Sequence, residues 1–213
     1  RGDRALAWVS EQNARTIQAF GNDDQFRTFY REALAASAAR NNTIFSMWMG
    51  SRWMYRISVT PENPRGLWQR ISRSEYLAGR QRWTTLIDID EWARSDGQSY
   101  SILLGPTTCT SDESRCMIAY SVGRNPYVEG FVEFDTERRV FVPNGFRAER
   151  NGTRGLQITD FNGGSLLIST NFGPDSIDAE GNPITIRRWV RGQSLPEARD
   201  VFRARPRPGI QTF

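Results

Sequence analysis

Asp88 and Asp90 stand two positions apart, just after an apolar run. Carboxylates at that spacing can share acid and base roles in catalysis. A strand-end turn followed by a capped helical turn uses the same residues and is the better reading. Asp112-Glu113 and Asp23-Asp24 are read the same way. Cys109 and Cys116 flank a polar turn, seven positions apart. They could form a disulfide between neighbouring strands in an oxidising compartment, or remain two thiols in a reducing one, and the residues leave both states open. No third or fourth soft ligand accompanies them, so they do not make a metal site. Ser121-Val122-Gly123 and Gly163-Gly164-Ser165 are fragments of nucleophile and phosphate patterns, and neither is complete. Trp48, Trp53, Tyr55 and Trp68 could stack on a ligand; packing inside a β-rich core is their simpler use.

An absence weighs more than any of these. The 213 residues include no histidine, and none of the 28 basic residues is lysine. A serine or cysteine nucleophile normally needs an imidazole beside it to take its proton. No catalytic residue, cofactor-binding residue or metal ligand is therefore assigned, and no cofactor is implied. The net charge of +4 is mild, and the arginines alternate with acids and aromatics. That pattern describes a solvated surface rather than a nucleic-acid footprint. No apolar run approaches the ~18–20 residues of a membrane-spanning helix. The ends, Arg1-Gly2-Asp3 and Arg203-Ala204-Arg205-Pro206-Arg207-Pro208-Gly209, read as the edges of a piece of something longer.

The elements that would position these residues fall into two kinds. Leu6, Val9, Asn13, Ile17 and Phe20 share one helical face, and Gly21 stops that helix. Phe26, Phe29, Tyr30, Ala33 and Leu34 form the stripe of a second helix, capped by Asn22 or Asp23. After Thr43 the pattern changes to short strands between turn residues. The first set is expected at 44–49, 53–59, 67–71 and 83–87, with a helical turn over 88–95. A second set is expected at 100–104, 116–122, 127–134 and 139–142, and a third at 156–161, 165–170, 184–190 and 200–203. The sets recur about every 56 residues, close to the spacing of propeller blades. A mainly β fold follows: a partial β-propeller of about three four-stranded blades, preceded by an α-helical hairpin. A sandwich is the alternative architecture.

Several stretches resemble one family. Arg4-Ala5-Leu6-Ala7-Trp8-Val9-Ser10-Glu11-Gln12-Asn13-Ala14-Arg15-Thr16 resembles the amino-terminal helix of the prolyl oligopeptidase family of serine peptidases. Asn63-Pro64-Arg65-Gly66-Leu67-Trp68-Gln69-Arg70 is similar to its first-blade hairpin, and Trp83-Thr84-Thr85-Leu86-Ile87-Asp88-Ile89-Asp90 to its tryptophan–x–x–leucine–leucine–aspartate stretch. Thr170-Asn171-Phe172-Gly173-Pro174-Asp175-Ser176 through Arg187-Arg188-Trp189-Val190-Arg191-Gly192 resembles a later blade. Ile177-Asp178-Ala179-Glu180-Gly181-Asn182-Pro183 departs from the family's usual turn. The resemblance implies an amino-terminal helical arm at 1–42 and the first three blades at 43–204, with a linker or truncated end at 205–213. It implies a carboxy-terminal α/β-hydrolase domain of the same parent chain as partner, and short peptides as substrates, with no nucleic acid and no membrane. In the family the triad lies in the hydrolase domain, and the propeller limits access to the site. This chain alone would be non-catalytic, its compartment cytoplasmic or periplasmic. The alternative function is a non-enzymatic β-propeller binding module; an arginine-rich nucleic-acid binder is a third.

Overall fold

The computed structural model describes residues 2–21, 23–38, 43–123 and 127–204. The chain divides into two compact units, 1–43 and 44–213.

In the first unit, α1 (Gly2–Phe20) and α2 (Asp24–Ala38) follow the two apolar stripes. The Gly21 amide donates to the Ile17 carbonyl at 2.7 Å and ends α1. Asp23 starts α2 by accepting the Phe26 amide at 2.5 Å. Glu11 and Arg15 pair at 2.6 Å, one turn apart on α1. No residue of α1 is buried, and Phe26, Phe29 and Leu34 stand 42%, 60% and 56% exposed. Neither helix closes its apolar stripe against the other.

In the second unit the described strands form three antiparallel sheets, each following chain order. The first contains β1 (Thr43–Met49), β2 (Trp53–Val59), β3 (Leu67–Ser72) and β4 (Thr84–Asp88). The second contains β5 (Tyr100–Cys109), β6 (Arg115–Val122), β7 (Gly130–Asp135) and β8 (Val140–Phe141), and β9 (Arg147–Glu149) also pairs with β7. The third contains β10 (Gln157–Phe161), β11 (Ser165–Ser169), β12 (Thr185–Val190) and β13 (Arg199–Arg203). Two short helices, α3 (Arg73–Leu77) and α4 (Ile89–Asp96), follow β3 and β4.

The middle sheet packs on both faces. Along β6, Cys116, Ile118 and Tyr120 enter a core shared with the first sheet. Met117 and Ala119 enter a core shared with the third. A strand buried on both faces reads as a continuous apolar run, which is why Cys116–Val122 stood out in the sequence. The first core is aromatic: Tyr55 stacks between Trp48 and Trp68 at 5.5 and 5.7 Å, and Trp68 meets Phe134 edge-on at 5.5 Å. In the second core Phe146 lies edge-on to Trp189 at 4.9 Å.

Some expectations need correction. β5 does not stop at Leu104 but continues to Cys109. Its pairing with β6 slips between Ile102 and Thr108, around Pro106. An edge strand tolerates the missing proline amide through such an irregularity. β7 begins at Gly130, later than the expected Tyr127. α3 and β9 were not expected. α3 carried a readable signal, Ser72-x-x-Glu75, and the Ser72 hydroxyl accepts the Glu75 amide at 3.2 Å. The divergent segment at 177–183 closes on itself through an Ile177–Pro183 bridge, with Asp178 Oδ1 accepting the Asn182 amide at 2.7 Å. The expected linker at 205–213 lies outside the described residues. Among the described residues, no helix is long and apolar enough to cross a membrane.

Candidate functional site

Glu113 lies in the β5–β6 turn, its amide donating to the Thr110 carbonyl at 2.8 Å, and its side chain has a second task. The β5–β6 hairpin closes with the Thr110 amide donating to the Arg115 carbonyl at 2.8 Å. Asp112 takes the turn-capping role, accepting the Thr110 hydroxyl at 2.6 Å and the Ser114 amide at 3.1 Å. Those bonds to the ionised form hold its carboxyl down to about 2. Glu113 sits at φ 59, the left-handed region. Its side chain crosses to the first sheet. There the carboxylate accepts the Ser51 hydroxyl, the Arg52 amide at 2.8 Å and the Tyr55 hydroxyl at 2.8 Å. Gly50 makes room, since a Cβ there would collide with the carboxylate. The Glu113 carbonyl accepts the Thr136 hydroxyl at 2.7 Å, and Arg70 reaches that hydroxyl at 3.1 Å. Burial alone would raise the Glu113 carboxyl, but the bonds from Ser51, Arg52 and Tyr55 outweigh it and hold the group below its ordinary value.

A second carboxylate joins the second sheet to the third. Glu133 is fully buried, and its Oε2 accepts the Phe146 amide at 2.9 Å. Its Oε1 pairs with Arg191 at 2.7 Å and with Arg115 at 3.4 Å. Arg191 also donates through Nε to the Gly163 carbonyl at 2.8 Å. Both glutamates serve as multiply bonded acceptors between sheets.

The second sheet also carries an open cleft of about 570 Å³, with Asp96, Tyr100, Tyr120, Arg147 and Glu149 among its lining. The Tyr100 hydroxyl donates to Asp96 at 3.0 Å, and Trp92 Nε1 reaches the same oxygen at 3.2 Å. Burial pushes the Tyr120 hydroxyl up to about 12, and burial with the Asp96 hydrogen bond pushes Tyr100 up as well. Both phenols stay protonated at neutral pH. The cleft can offer hydrogen bonds and charge, but these phenols do not supply a nucleophile or a base.

The other sequence candidates are spread over the fold. Asp88 caps α4, accepting the Glu91 amide at 3.0 Å, while Asp90 accepts the Arg65 amide at 3.0 Å. Asp88 also accepts Asn63 Nδ2 at 3.1 Å, so both carboxylates are structural acceptors for the 63–66 turn. Ser121 is buried near the end of β6. Ser165 opens β11, where Asn162 Oδ1 accepts its amide at 2.8 Å. The aromatic group is core: Tyr55 and Trp68 are buried, and Trp53 lies beneath the Arg70 guanidinium at 4.1 Å. Cys109 and Cys116 are directly opposed across β5 and β6 and joined by a disulfide, with Cα atoms 4.0 Å apart. Among the described residues, no group of three or more Cys, Asp or Glu side chains is placed to hold a metal ion.

No family model matches the chain. Two curated proteins align over nearly all of it. An uncharacterised peptidase of Rickettsia prowazekii is 24% identical over 206 residues, covering 94% of this chain and 28% of its own length. One of Sinorhizobium fredii is 24% identical over 212 residues, covering 95% and 27%. A solved post-proline cleaving enzyme from Rickettsia typhi superposes with a TM-score of 0.66 at 24% identity, over 94% of this chain and 29% of that one.

The chain matches the amino-terminal region of the prolyl oligopeptidase-like peptidases.

Oligopeptidase B from Leishmania major shares the fold more distantly, with a TM-score of 0.57 at 13% identity over 83% of this chain and 23% of its own. The chain spans little more than a quarter of the length of the curated relatives it matches.

Proposed function

We propose that this chain is the access-limiting part of a prolyl-oligopeptidase-like serine peptidase acting on short peptides. Residues 1–42 are the helical arm, and 43–204 are the first three blades of a β-propeller. The observation that carries this reading is the row of three antiparallel meanders, aligned over 94% of the chain with the Rickettsia typhi structure. The parent's carboxy-terminal α/β-hydrolase domain supplies serine, aspartate and histidine, and the reaction is acyl transfer to serine followed by hydrolysis. The chain itself contains no histidine and is assigned no step in that chemistry.

Two surfaces support the reading. Ile158 and Ile168 of the third sheet face the second sheet. Their neighbours Thr159 and Ser169 open on a groove of about 380 Å³, beside Ile184, Ile186 and Phe202. By strand alternation this is the opposite face, the one a following blade would cover. The exposed stripes of α1 and α2 are suited to dock on the hydrolase domain.

The test compares the 213-residue chain with the intact gene product on a chromogenic peptide cleaved after proline. Turnover by the intact product alone is expected. Turnover that stays with the short chain through repurification overturns its non-catalytic role. An inactive intact product favours the non-enzymatic propeller.

A further inference from the structure

The Cys109–Cys116 disulfide closes the base of the hairpin that carries Glu113. The next pair outward, Thr110 and Arg115, is hydrogen-bonded through its backbone at 2.8 Å. The cysteines therefore occupy the non-hydrogen-bonded position, where facing side chains come nearest. The six residues between them supply both halves of a joint. Glu113 binds Ser51, Arg52 and Tyr55 of the first sheet. The Glu113 and Ser114 carbonyls accept the Thr136 hydroxyl at 2.7 Å and the Thr136 amide at 3.0 Å. That turn holds a non-glycine residue in a left-handed conformation and a carboxylate away from water, and both are costly without constraint. Cys116 is fully buried, while Cys109 is only partly so.

We propose that Cys109–Cys116 is a redox site, opened by a dithiol reductant, that latches the joint between the first and second sheets. The reductant's thiolate attacks Cys109 Sγ, the more accessible sulfur. The S–S bond breaks, and Cys116 leaves as a thiolate and takes a proton. The reductant's second thiol then attacks its own sulfur in the mixed disulfide. Cys109 leaves as a thiol, and the reductant becomes a disulfide. Two electrons and two protons pass from the dithiol to the cysteine pair. The opened hairpin regains conformational freedom, and Glu113 withdraws from the Gly50–Arg52 turn. The latch does not rest on the peptidase reading, and its test does not use peptidase activity.

The oxidised 213-residue chain is first denatured with an alkylating agent and no reductant. No alkylation is expected, and two labelled thiols overturn the proposal. Hydrogen exchange is then compared between the oxidised chain, the chain treated with dithiothreitol, and a Cys109→Ser/Cys116→Ala variant. Amides at 51–55 and 110–115 should exchange at least about tenfold faster in the two open forms, with β11 and β12 unchanged. Unchanged exchange at 51–55, or equal loosening of all three sheets, overturns it. Glu113→Gln keeps the disulfide but weakens the acceptor. It should loosen 51–55 without reductant, and reduction should then add little there. Full protection in that variant would break the link between disulfide and joint.

Discussion

Replacing Trp68 with alanine should lower the unfolding free energy by about 4 kcal/mol. Trp68 is completely buried, stacked on Tyr55 and edge-on to Phe134, at the centre of the core between the first two sheets. Its loss removes a large apolar area from that core and leaves a cavity that two strand-bound rings cannot collapse to fill. Trp68→Phe should cost much less, about 1 kcal/mol. The indole Nε1 has no hydrogen-bond partner among the described residues, so phenylalanine gives up ring area but no bond. Urea unfolding followed by circular dichroism separates the two. A large drop in midpoint for alanine and a small one for phenylalanine, with the slope unchanged, is expected. Equal losses would mean that the indole nitrogen is bonded and the ring is not held by packing.

Glu113→Ala should cost about 3 kcal/mol, because the Arg52 amide and the Ser51 and Tyr55 hydroxyls lose one shared acceptor. Acid should erode that contribution in the unaltered chain. The folded carboxyl lies below its ordinary value, set by hydrogen bonds that outweigh burial. The unfolded value is about 4.3. A depressed carboxyl stabilises the fold in full above the unfolded value and loses that contribution as pH falls through the folded one. The stability gap between the unaltered chain and Glu113→Gln should therefore be widest near neutrality and close in acid. Urea midpoints measured for both from neutral to acid pH check this. A gap that stays constant would show that the carboxylate's charge plays no part in the joint.

The legible parts of the fold were those with local causes. β2 begins and ends where expected, at Trp53 and Val59, between the turn residues Gly50-Ser51 and the 61–66 run. The helix stop at Gly21 and the Asp88 cap are each the work of a few neighbouring residues. β9 carried no such mark, since Arg147-Ala148-Glu149 has one apolar side chain and owes its pairing to β7. Glu113 was missed for the opposite reason. An acidic residue after another acid in a turn reads as solvated, and its partners Ser51 and Arg52 lie 62 and 61 positions away. The same holds for Glu133, whose place in an apolar strand was visible but whose partner Arg191 lies 58 positions away. The cysteine spacing admitted two states because strand register, not sequence separation, sets how near the sulfurs come. The family resemblance was readable because its motifs run through the whole chain in order.

Size selection by the intact gene product tests the proposed role most directly. A short proline-containing peptide is compared with the same sequence displayed in a rigid loop of a folded carrier protein, each at equal concentration, with cleavage read by mass spectrometry. The role proposed for this chain requires the free peptide to be cut at the proline and the carrier to survive, and the carrier to become a substrate once it is unfolded and digested to short pieces. Cleavage of the folded carrier at the rate of the free peptide would contradict it, because the blades would then place no limit on what reaches the catalytic serine.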